Sequence, residues 1–480
     1  MTQSDDKDPI LDASSEGPAR RRLLKLGGSA ALASLGWGLA PASALAAADG
    51  STKLTMKLPD NSKYPDTQAF ILVLGHDPNN ANSFGYVNAA GQFVGAGTPG
   101  SFVFSNSMSI AFSTLKKGTN KYVLSIPRIS SARVYFAFGA TGFAGMPSFS
   151  SGGPVMGPQN TVLFDKFELD TNGNPNFNVT NVDFYGVSFS IAAIEAGSGV
   201  KRTVGYKKAR ADVLAAFAAV PASAGNPASG NNAIFAAADI KNSGGQIVRI
   251  LAPKAAGLSD WAGATLNDQV ANATLASHFW DDYIKQQCWR PNRTFSCYSK
   301  LVDGKTYYGR VSADGLTLFL YTDAAMTAPY SGAPTLPRPC NDPGVPNVNP
   351  VGGNPGLYHN VNSGVGAIDW GFLIGGNVAG AGLGAAWATD PVAMAIMMSI
   401  CRGVMHLDDG RNAWLDASKY YQGSGSGTGT TSMPIFHYAK ILHDKSIDHK
   451  AYAFSYDDVY GTEPAVYFGS NPLTLTFAGF

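Results

Sequence analysis

Only four glutamates occur in the 480 residues: Glu16, Glu168, Glu195 and Glu463. Glu168 stands in Phe164-Asp165-Lys166-Phe167-Glu168-Leu169-Asp170, where alternation predicts a strand. Lys166, Glu168 and Asp170 fall on one face of it, Phe167 and Leu169 on the other. If Phe167 and Leu169 pack a core, Glu168 points to a cleft or to solvent. A second run, Val179 to Tyr185, predicts another strand with Val179, Asn181, Asp183 and Tyr185 on one face. The turn-rich segment Asp170 to Asn176 separates the two runs. Antiparallel pairing would set Glu168 and Asp183 on one sheet face, flanking a groove. Two carboxylates across a groove are what cleavage of a glycosidic bond requires: one protonates the leaving oxygen, the other activates water or attacks carbon. The acid needs a raised pKa, which burial or a like charge such as Asp170 supplies. From spacing alone, ordinary surface carboxylates on a hairpin are the commoner outcome.

Other chemistry finds little support. The chain has no G-x-S-x-G elbow, H-E-x-x-H, phosphate loop or dinucleotide fingerprint. His437, His443 and His449 recur every six residues, which does not align them on one helical face for a metal. Asp457 and Asp458 are adjacent, so in a strand they would face opposite sides. Cys288, Cys297, Cys340 and Cys401 lack the C-x-x-C spacing of a zinc cluster. Four cysteines allow three disulfide pairings; Cys288 and Cys297 bracket a short loop and are the favoured pair, while Cys401, in an apolar helical stretch, reads as a buried thiol.

The elements that position these groups read as mostly β first and mixed later. Phe70–Leu74, Tyr122–Ile126 and Arg133–Phe138 are short aromatic and β-branched runs separated by turn residues, the pattern of a sandwich or barrel. Helical periodicity follows over Tyr206–Val220, Trp261–Trp289 and Ile435–His443. Thr389-Asp390-Pro391 is a cap followed by proline in the first turn, opening a helix with a core-filling methionine stripe of Met394, Met397 and Met398. Pro334–Pro355 and Gln422–Ser432 read as loops, and Leu473–Phe477 alternates as a closing strand. The expected division is a β-domain over 47–200, joined by a returning strand at 472–480, and a mixed α/β domain over 201–471.

Residues 1–46 read as an address. Arg20-Arg21-Arg22-Leu23-Leu24-Lys25 fits the twin-arginine export pattern, an apolar Gly/Ala/Ser stretch follows, and Ala44-Leu45-Ala46 offers a small-x-small cleavage site. Export to a periplasm or beyond the cell is expected, with no membrane attachment of the mature chain. Lysine plus arginine (35) balance aspartate plus glutamate (34), and only 14% of residues are charged. That excludes a field-driven nucleic-acid or polybasic membrane binder.

The carboxy-terminal segments carry a resemblance. Tyr438-Ala439-Lys440-Ile441-Leu442-His443 and Ala451-Tyr452-Ala453-Phe454-Ser455-Tyr456-Asp457-Asp458-Val459 resemble the Y-A-K-x-x-H and A-Y-A-F-x-Y-D-D-V signature of glycoside hydrolase family 64. Arg249–Pro253 and the Tyr283/Trp289 segment are similar to further family stretches. The resemblance covers Lys53–Phe480 and implies a secreted β-1,3-glucanase. It implies a β-rich, α+β fold: a thaumatin-like sandwich or barrel, with a wide groove between it and the mixed domain. It implies an inverting mechanism with Glu168 as general acid and Asp183, in Asn178-Val179-Thr180-Asn181-Val182-Asp183, as general base. Arg133 resembles the arginine of the thaumatin-like cleft, whereas one of the cleft's usual aspartates is Asn178 here. Beyond the glutamate this sequence has Asp170 and Asn172, and the nearest aromatic is Phe177 where the family often has a loop tryptophan. Arg133, Asp170, Asn172, Phe177 and Tyr185 are the candidate substrate contacts. The implied partner is a β-1,3-glucan acted on by a monomer. No cofactor or metal is implied, since side chains carry both proton transfers. The rival from another class is a non-catalytic thaumatin-like glucan-binding protein.

Overall fold

The alternating runs form strands because their apolar positions have a second sheet to pack against. The structure, a computed structural model, describes residues 51–98, 102–144, 148–150, 153–155, 162–182, 184–220, 239–251, 283–299, 304–332, 334–338, 390–408, 414–422, 436–454, 457, 464–469 and 471–480. The export segment, most of the Trp261–Trp289 stretch, most of the two loops, Cys340, Asp183, Asp458 and Glu463 lie outside the described residues.

Two large sheets dominate. A six-stranded sheet runs Lys201–Gly205, Phe189–Ile194, Leu473–Phe477, Thr52–Lys57, Lys121–Ile126, Lys116–Gly118 in spatial order. The closing strand thus lies beside the first described one, parallel to it, and antiparallel to Phe189–Ile194. The eight-stranded sheet runs Ala465–Tyr467, Asn176–Asn178, Leu163–Asp170, Ser130–Phe138, Ala69–Asp77, Asn80–Val87, Phe93–Gly95, with Ile110–Ala111 added beside Ala69–Asp77. Aromatic rings bind the two sheets face to face. Phe136 meets Phe189 edge-on at 4.7 Å and Phe477 at 5.0 Å, and Phe167 lies 6.3 Å from Phe189. Each fully buried phenylalanine contributes about 1.5–3 kcal/mol of burial free energy, and edge-to-face pairs add about 1 kcal/mol.

Smaller sheets follow: one of three strands (Phe184–Tyr185, Ile247–Leu251, Asp239–Lys241) and one of four (Thr294–Ser299, Lys305–Val311, Thr317–Tyr321, Thr335–Pro337). The α-helices among the described residues are Arg210–Ala218, Pro391–Cys401 and His437–Lys445. The cap read from Thr389-Asp390-Pro391 is present: Asp390 Oδ1 accepts from Val392 N (2.9 Å) and Ala393 N (3.0 Å). Among the described residues no helix is long and apolar enough to cross a membrane.

One pairing expectation is corrected. Cys288 and Cys297 are separate buried thiols, not a disulfide. They face different neighbours: Cys288 ends a π-helical turn beside the Tyr283 hydroxyl, whereas Cys297 lies on the inner face of its strand, near Asp390. Burial pushes the Cys288 thiol up to about 12, so it stays protonated and inert.

Candidate active site

Glu168 sits in the interior of the eight-stranded sheet. Its register partners are Arg133 on one side and Asn178 on the other, and Arg133 in turn faces Leu74. Direct partners in an antiparallel sheet project to the same face, so Arg133, Glu168 and Asn178 form one row across three strands. This face is the one turned away from the sandwich core, because Phe167 and Phe136 occupy the other. Burial changes along it. Phe164 and Lys166 (3% exposed) are covered, with Phe164 5.0 Å and the Lys166 Nζ 5.3 Å from the ring of Phe184 in the three-stranded sheet. Two residues on, Glu168 and Asp170 are half-buried. The cover ends where the carboxylates begin.

Asp170 is tied into the sheet edge: its carboxylate accepts from Ser131 N (3.1 Å) and Asn172 N (2.7 Å). Burial raises its pKa against these two bonds. Asn172 accepts from the Arg128 guanidinium, which anchors the turn after the strand. On the opposite face, Asp165 is fully buried, and burial pushes it up to about 7 against hydrogen bonds from Val187, Gly186 and Lys166 N–H. Its Oδ2 holds Gly186 N and Val187 N at 2.8 Å each. Only glycine fits at 186, since a Cβ there would meet the Phe164 carbonyl oxygen at 2.1 Å.

The second strand is not continuous. Asn176–Asn178 pairs with the glutamate strand and with Ala465–Tyr467, but Phe184–Tyr185 pairs with Ile247–Leu251 in the three-stranded sheet. Between them the chain leaves one sheet for the other. Asn181 governs this crossing: its N–H donates to the Tyr452 carbonyl (2.8 Å), its carbonyl accepts from the Tyr438 hydroxyl (2.7 Å), its Oδ1 accepts from the Tyr206 hydroxyl (2.7 Å), and its Nδ2 donates to the Phe184 carbonyl (3.2 Å). Asp183 itself lies outside the described residues, between Val182 and Phe184, both of them buried.

Comparison with known proteins decides the family. The family model of β-1,3-glucanases, glycoside hydrolase family 64, matches residues 52–477. The chain belongs to this family. Solved structures agree in fold: a laminaripentaose-producing β-1,3-glucanase in complex with laminaritetraose has a TM-score of 0.61 at 19% identity, covering 90% of this chain and 99% of that one. A β-1,3-glucanase domain from Clostridium beijerinckii gives 0.55 at 20% identity, covering 92% and 100%. The laminaripentaose-producing enzyme of Paenibacillus barengoltzii gives 0.50 at 17%, covering 92% and 78%. Among curated proteins, no sequence matches.

The chain is therefore a glycoside hydrolase acting on β-1,3-glucan, and its family signature acquires a physical meaning. His443 and Asp457, both from the signature, meet in the interior: His443 Nε2 is 2.8 Å from Asp457 Oδ2, and Nδ1 is 2.7 Å from the His449 carbonyl. Arg402 reaches the same carboxylate, Nη2 to Oδ1 at 3.1 Å, and Ala453 N donates to Oδ2 at 3.1 Å. Burial alone would raise Asp457, but His443, Arg402 and the Ala453 N–H outweigh it and hold the carboxyl below its ordinary value. Tyr438 and Tyr452, also from the signature, are two of the groups that hold Asn181.

Two candidate contacts are corrected in this glucanase. Phe177 and Tyr185 are both 0% exposed. Phe177 pairs in register with Leu169 on the core side of the sheet and lies 6.0 Å from Phe468. Tyr185 spends its hydroxyl on Ser188 Oγ (2.6 Å) and packs edge-on to Tyr206 (5.4 Å). Neither ring is available to a sugar. Of the remaining glutamates, Glu195 belongs to a hairpin, bonded to Ser198 Oγ (2.7 Å) and Arg202 Nε (3.2 Å).

Proposed function

We propose that this β-1,3-glucanase is exported by the twin-arginine route to a periplasm or the exterior and cuts within β-1,3-glucan chains of the curdlan, laminarin or fungal-wall type. It acts as a monomer with inversion at the anomeric carbon. Glu168 is the general acid and Asp183 the general base. The carrying observation is the half-buried Glu168, flanked in register by Arg133 and Asn178, at the point where the covered sheet face opens. A thaumatin-like β-domain (47–200, with 472–480) and a mixed domain (201–471) form the two walls of the groove in this reading.

The chemistry needs only side chains. Protonated Glu168 gives its proton to the glycosidic oxygen as the C1–O bond breaks. Asp183 takes a proton from the water that attacks C1 from the other face, and the new bond has inverted configuration. Such a pair stands about 6.5–9.5 Å apart to leave room for that water. Half-buried Arg133 supplies donors for sugar hydroxyls. The balance of 35 basic against 34 acidic residues suits a neutral polysaccharide. The laminaritetraose bound by a relative of the same fold supports a β-1,3-linked substrate.

The test is a side-by-side screen of β-1,3-, β-1,4- and α-1,3-glucans with the anomeric form of the first product followed by proton NMR. Release from β-1,3-glucan alone, as the α-anomer, is expected. A β-anomeric first product would overturn inversion, and no β-1,3 activity would overturn the substrate.

A further inference from the structure

The open face of the eight-stranded sheet carries a longer row than the three residues around Glu168. Register continues from Arg133 to Leu74, from Leu74 to Tyr86 and from Tyr86 to Val94. Direct partners project to one face, so Glu168, Arg133, Leu74, Tyr86 and Val94 stand in line across five strands. The line changes character along its length. It begins with a carboxylate and a guanidinium and ends with a tyrosine between two aliphatic residues. Adjacent strands lie about 4.8 Å apart, which puts Tyr86, three strands from Glu168, at roughly 14 Å from it.

The rows on either side differ. Lys166, Tyr135 and Leu72 form the next row, and all three are buried, at 3%, 0% and 0% exposure. On the other side Asp170 and His76 are half-buried. The cover therefore ends in a step that runs across the strands, alongside the row. Glu168, Arg133, Tyr86 and Val94 lie half-buried at its foot, with Leu74 buried between Arg133 and Tyr86. In the opposite direction from Glu168 the row closes at once, because Asn178 is fully buried. An extended ligand that follows this step from Glu168 runs over Arg133 to Tyr86.

A pyranose ring offers a face of C–H bonds with hydroxyls around its rim, and an aromatic ring among apolar neighbours matches that face. Tyr86 packs against the core yet stays half-buried rather than enclosed, the amphipathic use that suits tyrosine. Phe177 and Tyr185, being buried, offer no such face. We propose that Tyr86 is the aromatic platform of a distal glucan subsite, which holds a sugar roughly 14 Å from the cleaved bond. This rests on the reading of Glu168 as the acid at that bond. A contact so far from the reacting atoms is made equally in the bound substrate and in the transition state. It therefore lowers KM and leaves kcat alone.

The test compares Tyr86→Ala, Tyr86→Phe and Glu168→Gln in the full chain, measuring kcat and KM on laminarin and the thermal midpoint. Tyr86→Ala is expected to raise KM about 10-fold with kcat within about twofold, and Tyr86→Phe, which keeps the ring, to leave both within about twofold. An unchanged KM in Tyr86→Ala, or a fall in kcat without a rise in KM, overturns the platform. So does an equal rise in KM in Tyr86→Phe, which assigns the effect to the hydroxyl. An equal loss of kcat/KM on laminaritriose, too short to reach Tyr86 from the cleaved bond, overturns its distal place. If Glu168→Gln keeps wild-type kcat, the reading beneath fails instead, whatever Tyr86 does. Should Tyr86→Ala not fold, Tyr86→Leu, which fills core space without an aromatic face, decides by the same criteria.

Discussion

Two places in this protein combine arginine with a carboxylate, and they are used in opposite ways. Arg133 and Glu168 lie in one row on a sheet face at the edge of its cover, both half-buried. Arg402, Asp457 and His443 lie in the interior, with Asp457 fully buried and bonded on both oxygens. In the first the carboxylate remains partly exposed to solvent. In the second, hydrogen bonds and charge are consumed in joining distant segments. What separates the two places is therefore the access of solvent, not residue type.

The largest expected effect falls on the accessible member. Glu168→Gln removes a transferable proton and should cut laminarin hydrolysis by about 100- to 10,000-fold, while calorimetric binding of laminari-oligosaccharides changes little. Undiminished hydrolysis would erase the contrast. The reverse pattern is expected at Asp457. Asp457→Ala leaves buried Arg402 and His443 without their carboxylate, at a cost of about 3–5 kcal/mol in urea unfolding. Glu168→Gln in the same assay should stay within about 0.5 kcal/mol of wild type.

Acidity sharpens the comparison further, using two buried carboxyls with opposite shifts. Asp457 is held below its unfolded value of 3.8, so its stabilisation is present above that pH and lost as pH falls through the depressed folded value. Asp165 is pushed up to about 7, so its contribution is full below 3.8 and lost as pH rises through about 7. Unfolding midpoints across pH 2.5–8 should thus lose their acid-side slope in Asp457→Asn and their slope between about pH 4 and 7 in Asp165→Asn. The smallest effect separates core from contact: Phe177→Leu should cost roughly 1 kcal/mol of stability and leave KM for laminarin unchanged. A raised KM at full stability would return Phe177 to the substrate.

Legibility varied with the range of the forces involved. The strand Leu163–Asp170 was readable because its alternation repeats every two residues and its core face is aromatic. The helix at Pro391 was readable because its cap is made by the residue just before it. The break after Asn178 was not. Alternation of Val179, Asn181, Asp183 and Tyr185 continues past it unchanged, and the bonds that turn the chain come from Tyr206, Tyr438 and Tyr452. The same limit misassigned Tyr185, since alternation gives a face but not what covers it, while Phe177 was offered through the resemblance as the nearest aromatic, which says nothing of its burial. Loop spacing likewise suggested Cys288 with Cys297, whereas the surroundings of each thiol are tertiary.

What the amino-acid sequence determined alone is the family, the strand that carries Glu168 and the face on which it sits, because motif and two-residue period are local properties. Tertiary structure decided which face of the sheet stays open, how Asn181 is gripped and where Asp457 is spent. Those outcomes depend on contacts between residues up to 257 positions apart, which no local pattern encodes.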